Sequence, residues 1–477
     1  MKTAENSSSP KTFKVGTLVY TKTGLFILFS WLLWADLTFT LMESVPNLIP
    51  LKLKALNAPN WLMAVIVSTL PSILNATVCP WVSFKSDRCR SKWGRRIPFI
   101  LFTAPFLTIA LIGIGFSQPL GQFIRGLLVF ANAAFSPNQV ELGVVAVFAT
   151  MFAFFNMFVN SVFWYLFNDV VPSEVMSRFL SALRIVSSGA GMMFSFFIFP
   201  FAGTHMPWIF LGGALLYFVS FLVVCLNVKE GEYPPVSDME TGGNPLWSGI
   251  KTYGRQCYSL SFYWFYFLQN AIYNFANCAL IFSVFLSLHL GLTYGQMGFI
   301  GGIFSILMVL FLYPAGILVD RIHPMYGALL ATTLTTFVVM PVGLIWLFFD
   351  PSPKQAYTII LCLSPLTAAV GAINAASMLP LEMHLFPKTS FGQFGSANSL
   401  VRSVAQIIGG LSAGIFMDVM KRWCHGTDYC YRFIPLWWLP FGLIAYGFFI
   451  ALFRSWKSMG GTTGYVPPTV DKATRNS

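Results

Sequence analysis

Apolar runs of about 20 residues, the length needed to cross a hydrocarbon core, recur along almost the whole chain, with aromatics and prolines crowding their ends. There are twelve, at 24–50, 60–84, 97–117, 140–167, 178–201, 207–228, 257–290, 294–319, 326–349, 356–382, 391–417 and 433–453. Each is read as a helix, which predicts an all-α membrane protein of twelve transmembrane helices. The longest polar interval, 229–256, breaks the rhythm with the acid-, proline- and glycine-rich stretch KEGEYPPVSDMETGGNP. It divides the chain into a tail at 1–23, a six-helix half at 24–228, a central loop at 229–256, a second six-helix half at 257–453 and a tail at 454–477.

Composition agrees with a lipid solvent, because 56% hydrophobic and 10% charged residues over 477 positions could not wet a globular surface. The charges that remain fix an orientation. Four Lys or Arg lie in 1–23, six in 85–96 and four in 454–477. Basic residues are retained on the cytoplasmic side, so both termini are expected there, in a plasma (cytoplasmic or inner) membrane. The N-terminal stretch lacks a small-residue cleavage site and reads as a tail rather than a signal. The net charge of +12 is then topology plus attraction to anionic lipid, and no nucleic-acid partner is expected. With five scattered histidines, no nucleotide loop and no His-Glu-x-x-His, neither an enzyme, a cofactor nor a metal is expected. Cys424 and Cys430 flank HGTDY in an outer loop, where a disulfide is expected; Cys79, Cys225, Cys278 and Cys362 read as inert single thiols.

The two halves echo one another. Asp87, Arg88 and Gly94 answer to Asp320, Arg321 and Gly327, and Pro172, Phe179, Ser181 and Ala182 to Pro387, Phe394, Ser396 and Ala397, at offsets of 233 and 215. Two parallel, pseudo-symmetric six-helix halves are the repeat of rocker-type transporters. In the loop SDRCRSKWGRRIPF, basic residues surround Asp87, which can pair with an Arg and accept backbone N–H groups at a helix start as a two-state latch. An ordinary positive-inside loop would look similar.

At these residues the chain resembles the major facilitator superfamily, whose Gly-x-x-x-Asp-Arg loop matches Gly316, Asp320 and Arg321. The first-half loop is similar to that of the glycoside–pentoside–hexuronide:cation symporters, the sucrose:proton symporters above all, at Ser86, Asp87, Arg88, Cys89, Gly94, Arg95, Arg96, Pro98 and Phe99. The resemblance implies the major facilitator fold, a monomer, and a sugar or glycoside carried with a cation. Sodium-coupled members place two carboxylates where Asn75 and Cys79 stand here, ahead of Pro80, so a proton is the expected partner.

Side chains at membrane depth supply candidates for that chemistry. Asp36 and Glu43 share a face of the first run with Thr40, and intramembrane acids mark proton or ion pathways unless they reach headgroup water. Arg184 and Arg402 stay protonated, so they fix anions or hold hydroxyls. The seventh run carries Tyr266, Asn270, Tyr273, Asn274 and Asn277 along one face, and the fourth adds Asn156, Asn160 and Trp164. Amides and aromatic rings so spaced suit a polyhydroxylated solute, although polar stripes also glue helices, as the glycines at 189, 191, 409, 410 and 414 are expected to do. A facilitator of another solute, such as an organic acid or lysolipid, and a solute-sensing receptor would share the frame.

Overall fold

The computed structural model describes residues 12–130, 135–231 and 257–468. Twelve helices in it are long and apolar enough to cross a membrane: α1 Lys22–Ala55, α2 Asn60–Arg88, α3 Ile97–Gly115, α4 Pro137–Val170, α5 Arg178–Phe201, α6 Met206–Asn227, α7 Ser261–His289, α8 Tyr294–Ile322, α9 Pro324–Phe348, α10 Pro353–Leu385, α11 Phe391–Trp423 and α12 Asp428–Ser458. Each corresponds to one of the expected apolar runs. Residues 232–256 of the central loop, and the outer parts of both tails, lie outside the described residues. The N-terminal tail is not plain coil. Strands β1 (Phe13–Val15) and β2 (Leu18–Tyr20) form an antiparallel hairpin that pairs Phe13 with Tyr20 and turns through Gly16 at φ +52°. A further helix, Ser117–Phe130, follows α3.

Several helices run past the apolar stretch because their starts are capped. Ser136 accepts the N–H of Gln139 while the Gln139 side chain accepts that of Ser136, with Pro137 in the first turn. Ser352, Pro353 and Gln355 repeat the device at the start of α10. The same Ser-Pro-x-Gln motif thus opens the fourth helix of each half.

The repeat is visible in the packing. Phe179 of α5 sits between Phe29 of α1 (4.9 Å) and Phe167 of α4 (5.2 Å). Its counterpart Phe394 of α11 sits between Tyr263 of α7 (4.5 Å) and Phe386 after α10 (5.4 Å). In each half a ring of the fifth helix thus packs between a ring of the first helix and a ring at or near the end of the fourth.

The halves meet along α2 against α11 and α5 against α8. Glycine allows the first contact: a Cβ on Gly414 would lie 2.6 Å from Trp61 Cα and 2.8 Å from Asn60 O, and one on Gly410 would lie 2.6 Å from Thr69 Oγ1. Polar bonds then pin one end. Asp418 accepts the backbone N–H groups of Asn60 and Trp61, each at 2.9 Å, so a carboxylate of α11 caps the start of α2. Beside it Lys54 pairs with Asp428 at 2.5 Å and donates to buried Tyr431 at 2.9 Å, while Tyr431 donates to Asn60 Oδ1 at 3.0 Å. The hydrogen-bonded seam continues through Thr69 and Ile407 to Asn75 and Ser403 (3.4 Å).

Toward the end that bears the termini, polar side chains are exposed on the facing helices: Arg178, Ser181 and Arg184 on α5, and Gln393, Ser396, Ser399 and Arg402 on α11. Charged and hydroxylated groups at that depth are costly to place against lipid.

Replacing Gly414 by Val should wedge α2 from α11 against backbone that cannot yield, at a cost of about 1–3 kcal/mol. A lowered melting temperature in detergent is the expected result, with Gly447→Ala, where a Cβ meets nothing within 4 Å, unchanged as the control.

Candidate functional site

Two acids hang from α1 into the N-terminal half. Asp36 is 2% exposed and accepts a hydrogen bond from Ser187 Oγ of α5 at 2.5 Å, with Arg184 as its electrostatic neighbour. Seven residues on, Glu43 accepts from Asn160 Nδ2 at 2.9 Å and from Asn156 Nδ2 at 3.3 Å. These two asparagines of α4, expected to bind solute, both donate to Glu43 in this conformation. Helical spacing gave their face correctly but not what stands opposite it. Trp164, one turn further, is exposed and set edge-on to Phe167.

The C-terminal half contains a cavity of about 220 Å³. Its walls come from α7 (Gln269, Asn270, Tyr273, Asn274), α9 (Thr332, Thr335), α10 (Asn374, Met378) and α11 (Arg402). Four expected residues, Asn270, Tyr273, Asn274 and Arg402, thus converge on one space. The two ends of the predicted stripe leave it. Tyr266 donates to Glu382 of α10 at 2.8 Å, and Asn277 accepts from Trp438 Nε1 of α12 at 2.8 Å.

Gln269, Thr332 and Thr335 were not legible as site residues. Gln269 lies off the asparagine stripe, and threonines in a membrane helix commonly bond their own backbone, as Thr332 does to Ala328 O at 2.7 Å. A π-helical turn at Thr335–Val339 marks the same place, and such turns recur at functional sites.

The basic loop between α2 and α3 builds a charged network. Asp87 pairs with Arg96, and Asp169 at the end of α4 receives both Arg95 and Arg96. Asp87 does not accept the backbone N–H groups of the next helix. Glu230, just past α6, takes those of Arg95 (2.9 Å), Arg96 (2.8 Å) and Ile97 (2.7 Å), and so caps α3. Burial pushes its carboxyl above the ordinary glutamate value, and the three N–H groups pull it back. The chain reaches Glu230 only because Gly94 adopts φ +106° with no side chain, since a Cβ would lie 2.5 Å from the carboxyl carbon. Asp169 and Glu230 are separated from this loop by whole helices, so local sequence could not reveal them. In the second half, Asp320 and Arg321 are exposed at the end of α8, and Gly316 faces open space. Asn75 and Cys79 make neutral contacts, to Ser403 and to Ser161 (2.8 Å).

The expected disulfide is absent: Cys424 and Cys430 are both free thiols. The loop between them is already closed by backbone bonds, Gly426 N to Lys421 O at 2.8 Å and Thr427 N to Cys424 O at 3.0 Å. Cys430 is itself buried beside Tyr431.

Two outcomes follow. Unfolded without reductant, the protein should label at both loop cysteines with a maleimide. Glu230→Ala should strip three N–H groups of their acceptor and cost about 1–2 kcal/mol. A lowered melting temperature checks it, with Glu230→Gln falling between.

Sequence and structure comparisons agree with this architecture. The Major Facilitator Superfamily profile matches residues 120–410, more than half of the chain. Short matches reach the sucrose transport proteins SUT1 of Oryza sativa subsp. japonica (47% identical over 49 residues) and SUC3 of Arabidopsis thaliana (46% over 52 residues). They span 10–11% of this chain and only 9% of those proteins. Among solved structures, a bacterial homologue of the human lysosomal transporter Spinster superposes with a TM-score of 0.65 at 13% identity, over 92% of this chain and 99% of that one. A D-xylose-proton symporter superposes with 0.59 at 11%, over 88% and 95%. By its family match and its twelve-helix fold, the chain is an integral membrane protein that belongs to the Major Facilitator Superfamily.

Proposed function

We propose that the chain is a proton-coupled symporter of a sugar or glycoside that works by alternating access. One observation carries the reading. A cavity of amides, hydroxyls and a guanidinium in one half shares the bundle with two acids in the other, buried Asp36 and half-buried Glu43. Amides offer both donors and acceptors to sugar hydroxyls, and the Tyr273 ring adds an aromatic surface. The short matches to sucrose transport proteins and the fold shared with a D-xylose-proton symporter support the same reading.

In this scheme the conformation is open toward the termini, which lie in the cytoplasm of a plasma membrane; the excess of basic residues near them supports that side. Asp36 carries the coupling proton. Its partners are a hydroxyl, which can donate to the carboxylate or accept from the acid, and an arginine, which steadies the charge once the proton has left. Solute enters with the Lys54–Asp428 end open and the acid protonated. The halves then rock, and release of solute toward the termini lets the proton follow. The Asp87–Arg96–Asp169 cluster holds the cytoplasmic ends of the N-terminal half as one body during that motion. Linkage requires protonation to raise solute affinity by the factor by which solute raises proton affinity.

Asp36→Asn, which mimics the protonated acid, should keep binding and exchange of solute across proteoliposomes but lose accumulation driven by a pH gradient. Full uphill uptake by that variant would refute the assignment. The same flux assay separates a transporter from a receptor, which binds without moving solute, and from a facilitator, which never accumulates it.

A further inference from the structure

At the end that bears the termini, acids tie the first half together. Asp169 of α4 holds Arg95 and Arg96, and Glu230 beyond α6 holds the start of α3. The repeat identifies what stands in those places in the second half. At the 215-residue offset Asp169 becomes His384, each three residues ahead of the repeated proline, Pro172 or Pro387. At the 233-residue offset Arg95 and Arg96 become Ala328 and Leu329. Glu230, three residues past α6, gives way to Gly461, three past α12. Both acids are therefore missing, and His384 and Gly461 instead line a cavity of about 440 Å³.

That cavity is basic. His323 reaches it from the turn between α8 and α9, His384 from the end of α10 and Lys388 from the loop beyond, and no carboxylate is among its lining residues. His384 and Lys388 are exposed, and among the described residues neither makes a hydrogen bond or an ion pair. The His323 ring lies 4.9 Å from that of His384. Its Nδ1 accepts the N–H of Met325 at 3.2 Å, so the proton of the neutral ring sits on Nε2 as a donor. Burial and the neighbouring His384 hold the His323 imidazole below the ordinary histidine value. The tail after α12 supplies the far wall. Gly460 reverses it at φ +106°, Tyr465 donates to Leu385 O at 2.9 Å, and Tyr263 donates to Pro468 O at 3.0 Å. Thr462 and Tyr465 are thereby set against the end of α10. The other charged groups nearby, Asp320 and Arg321 on α8 and Lys457 on α12, are exposed and lie outside the lining.

We infer that this cavity binds a phosphomonoester joined to an apolar group, whose phosphate supplies to the second half the negative charge that Asp169 and Glu230 supply to the first. Donors from three separate elements suit a tetrahedral dianion. The planar arginine fork that matches a carboxylate is not among them, and lysine binds phosphate as a point charge. The volume falls within the roughly 300–1,000 Å³ of organic-ligand sites, and Met383, Phe386 and Val466 give it apolar walls, so an organic group accompanies the phosphate. No residue is shared with the polar cavity of α7, α9, α10 and α11, so the site stands apart from the solute and independently of the sugar reading. A ligand here joins the ends of α8, α10 and α12, as Asp169 joins α4 to the α2–α3 loop.

The test uses the full chain in phosphatidylcholine nanodiscs, with adenosine 5′-monophosphate and adenosine as probes measured by calorimetry. Wild type should bind the monophosphate about ten-fold or more tightly than adenosine, the factor expected of one charge-assisted pair. Binding should tighten as pH falls from about 8 to 7, because the anion favours both imidazolium forms while the phosphate, with a second pKa of about 6, stays largely a dianion. Lys388→Gln should weaken binding about ten-fold, and His384→Asp, which copies Asp169 into the second half, should abolish it. An unchanged melting temperature without ligand shows that both variants fold. Phosphatidate added to the bilayer, with phosphatidylserine of equal charge as control, assigns the source: competition marks a lipid headgroup, its absence a soluble metabolite, and either supports the site. Adenosine bound as tightly as the monophosphate, or a preference indifferent to both substitutions, overturns it.

Discussion

Hydrocarbon offers no hydrogen-bond partner, and that single constraint organises this molecule. Every backbone polar group must be satisfied within its own segment, which leaves helices as the spanning element and forces loops to the two faces. It also prices each ionisable side chain by depth. The basic residues of the α2–α3 loop cluster at a helix end, where Arg96 is buried but paired with both Asp87 and Asp169, whereas Asp36 and Glu43 persist on α1 with donors on α5 and α4. Helix ends obey the same demand, being closed by Ser-Pro-x-Gln boxes, by Glu230 and by Asp418.

The duplicated frame has been kept where it packs and has diverged where it reacts. Phe179 and Phe394 occupy equivalent ring clusters, and α4 and α10 begin alike. Position by position the interior differs. By the 215-residue offset of the repeat, Ser187, the donor to Asp36, corresponds to Arg402, which lines the cavity. One architectural slot thus carries a hydroxyl beside an acid in one half and, in the other, a cation with no ion-pair partner among the described residues, so pseudo-symmetry gives the two halves unlike walls.

What the sequence disclosed follows from the range of each signal. Hydrophobic run length is local and strong, and all twelve helices were legible from it. Periodicity names a face, so Asn270, Tyr273 and Asn274 were found together, yet it is blind to the neighbour across the gap. It did not reveal that Asn156 and Asn160 face Glu43, or that Asn277 faces Trp438. Glu230 and Asp169 act across more than 70 residues of chain, beyond any local pattern. The capping boxes were readable, and would have set the starts of α4 and α10 three residues earlier than hydropathy did. Cysteine spacing suggested a bond that the backbone of a tight turn had already made unnecessary.

The cap that Asp418 places on α2 joins closure of one end of the bundle to completion of a helix. While the halves touch there, the first N–H groups of α2 are served by the other half. Once they part, only solvent can serve them, along with Lys54, Asp428 and the phenol of Tyr431. Opening that end is therefore a hydration step as well as a rotation, with a definite uptake of water by groups that were dry. Its equilibrium must depend on water activity, so that excluded osmolytes push the population toward the state in which Asp418 caps α2.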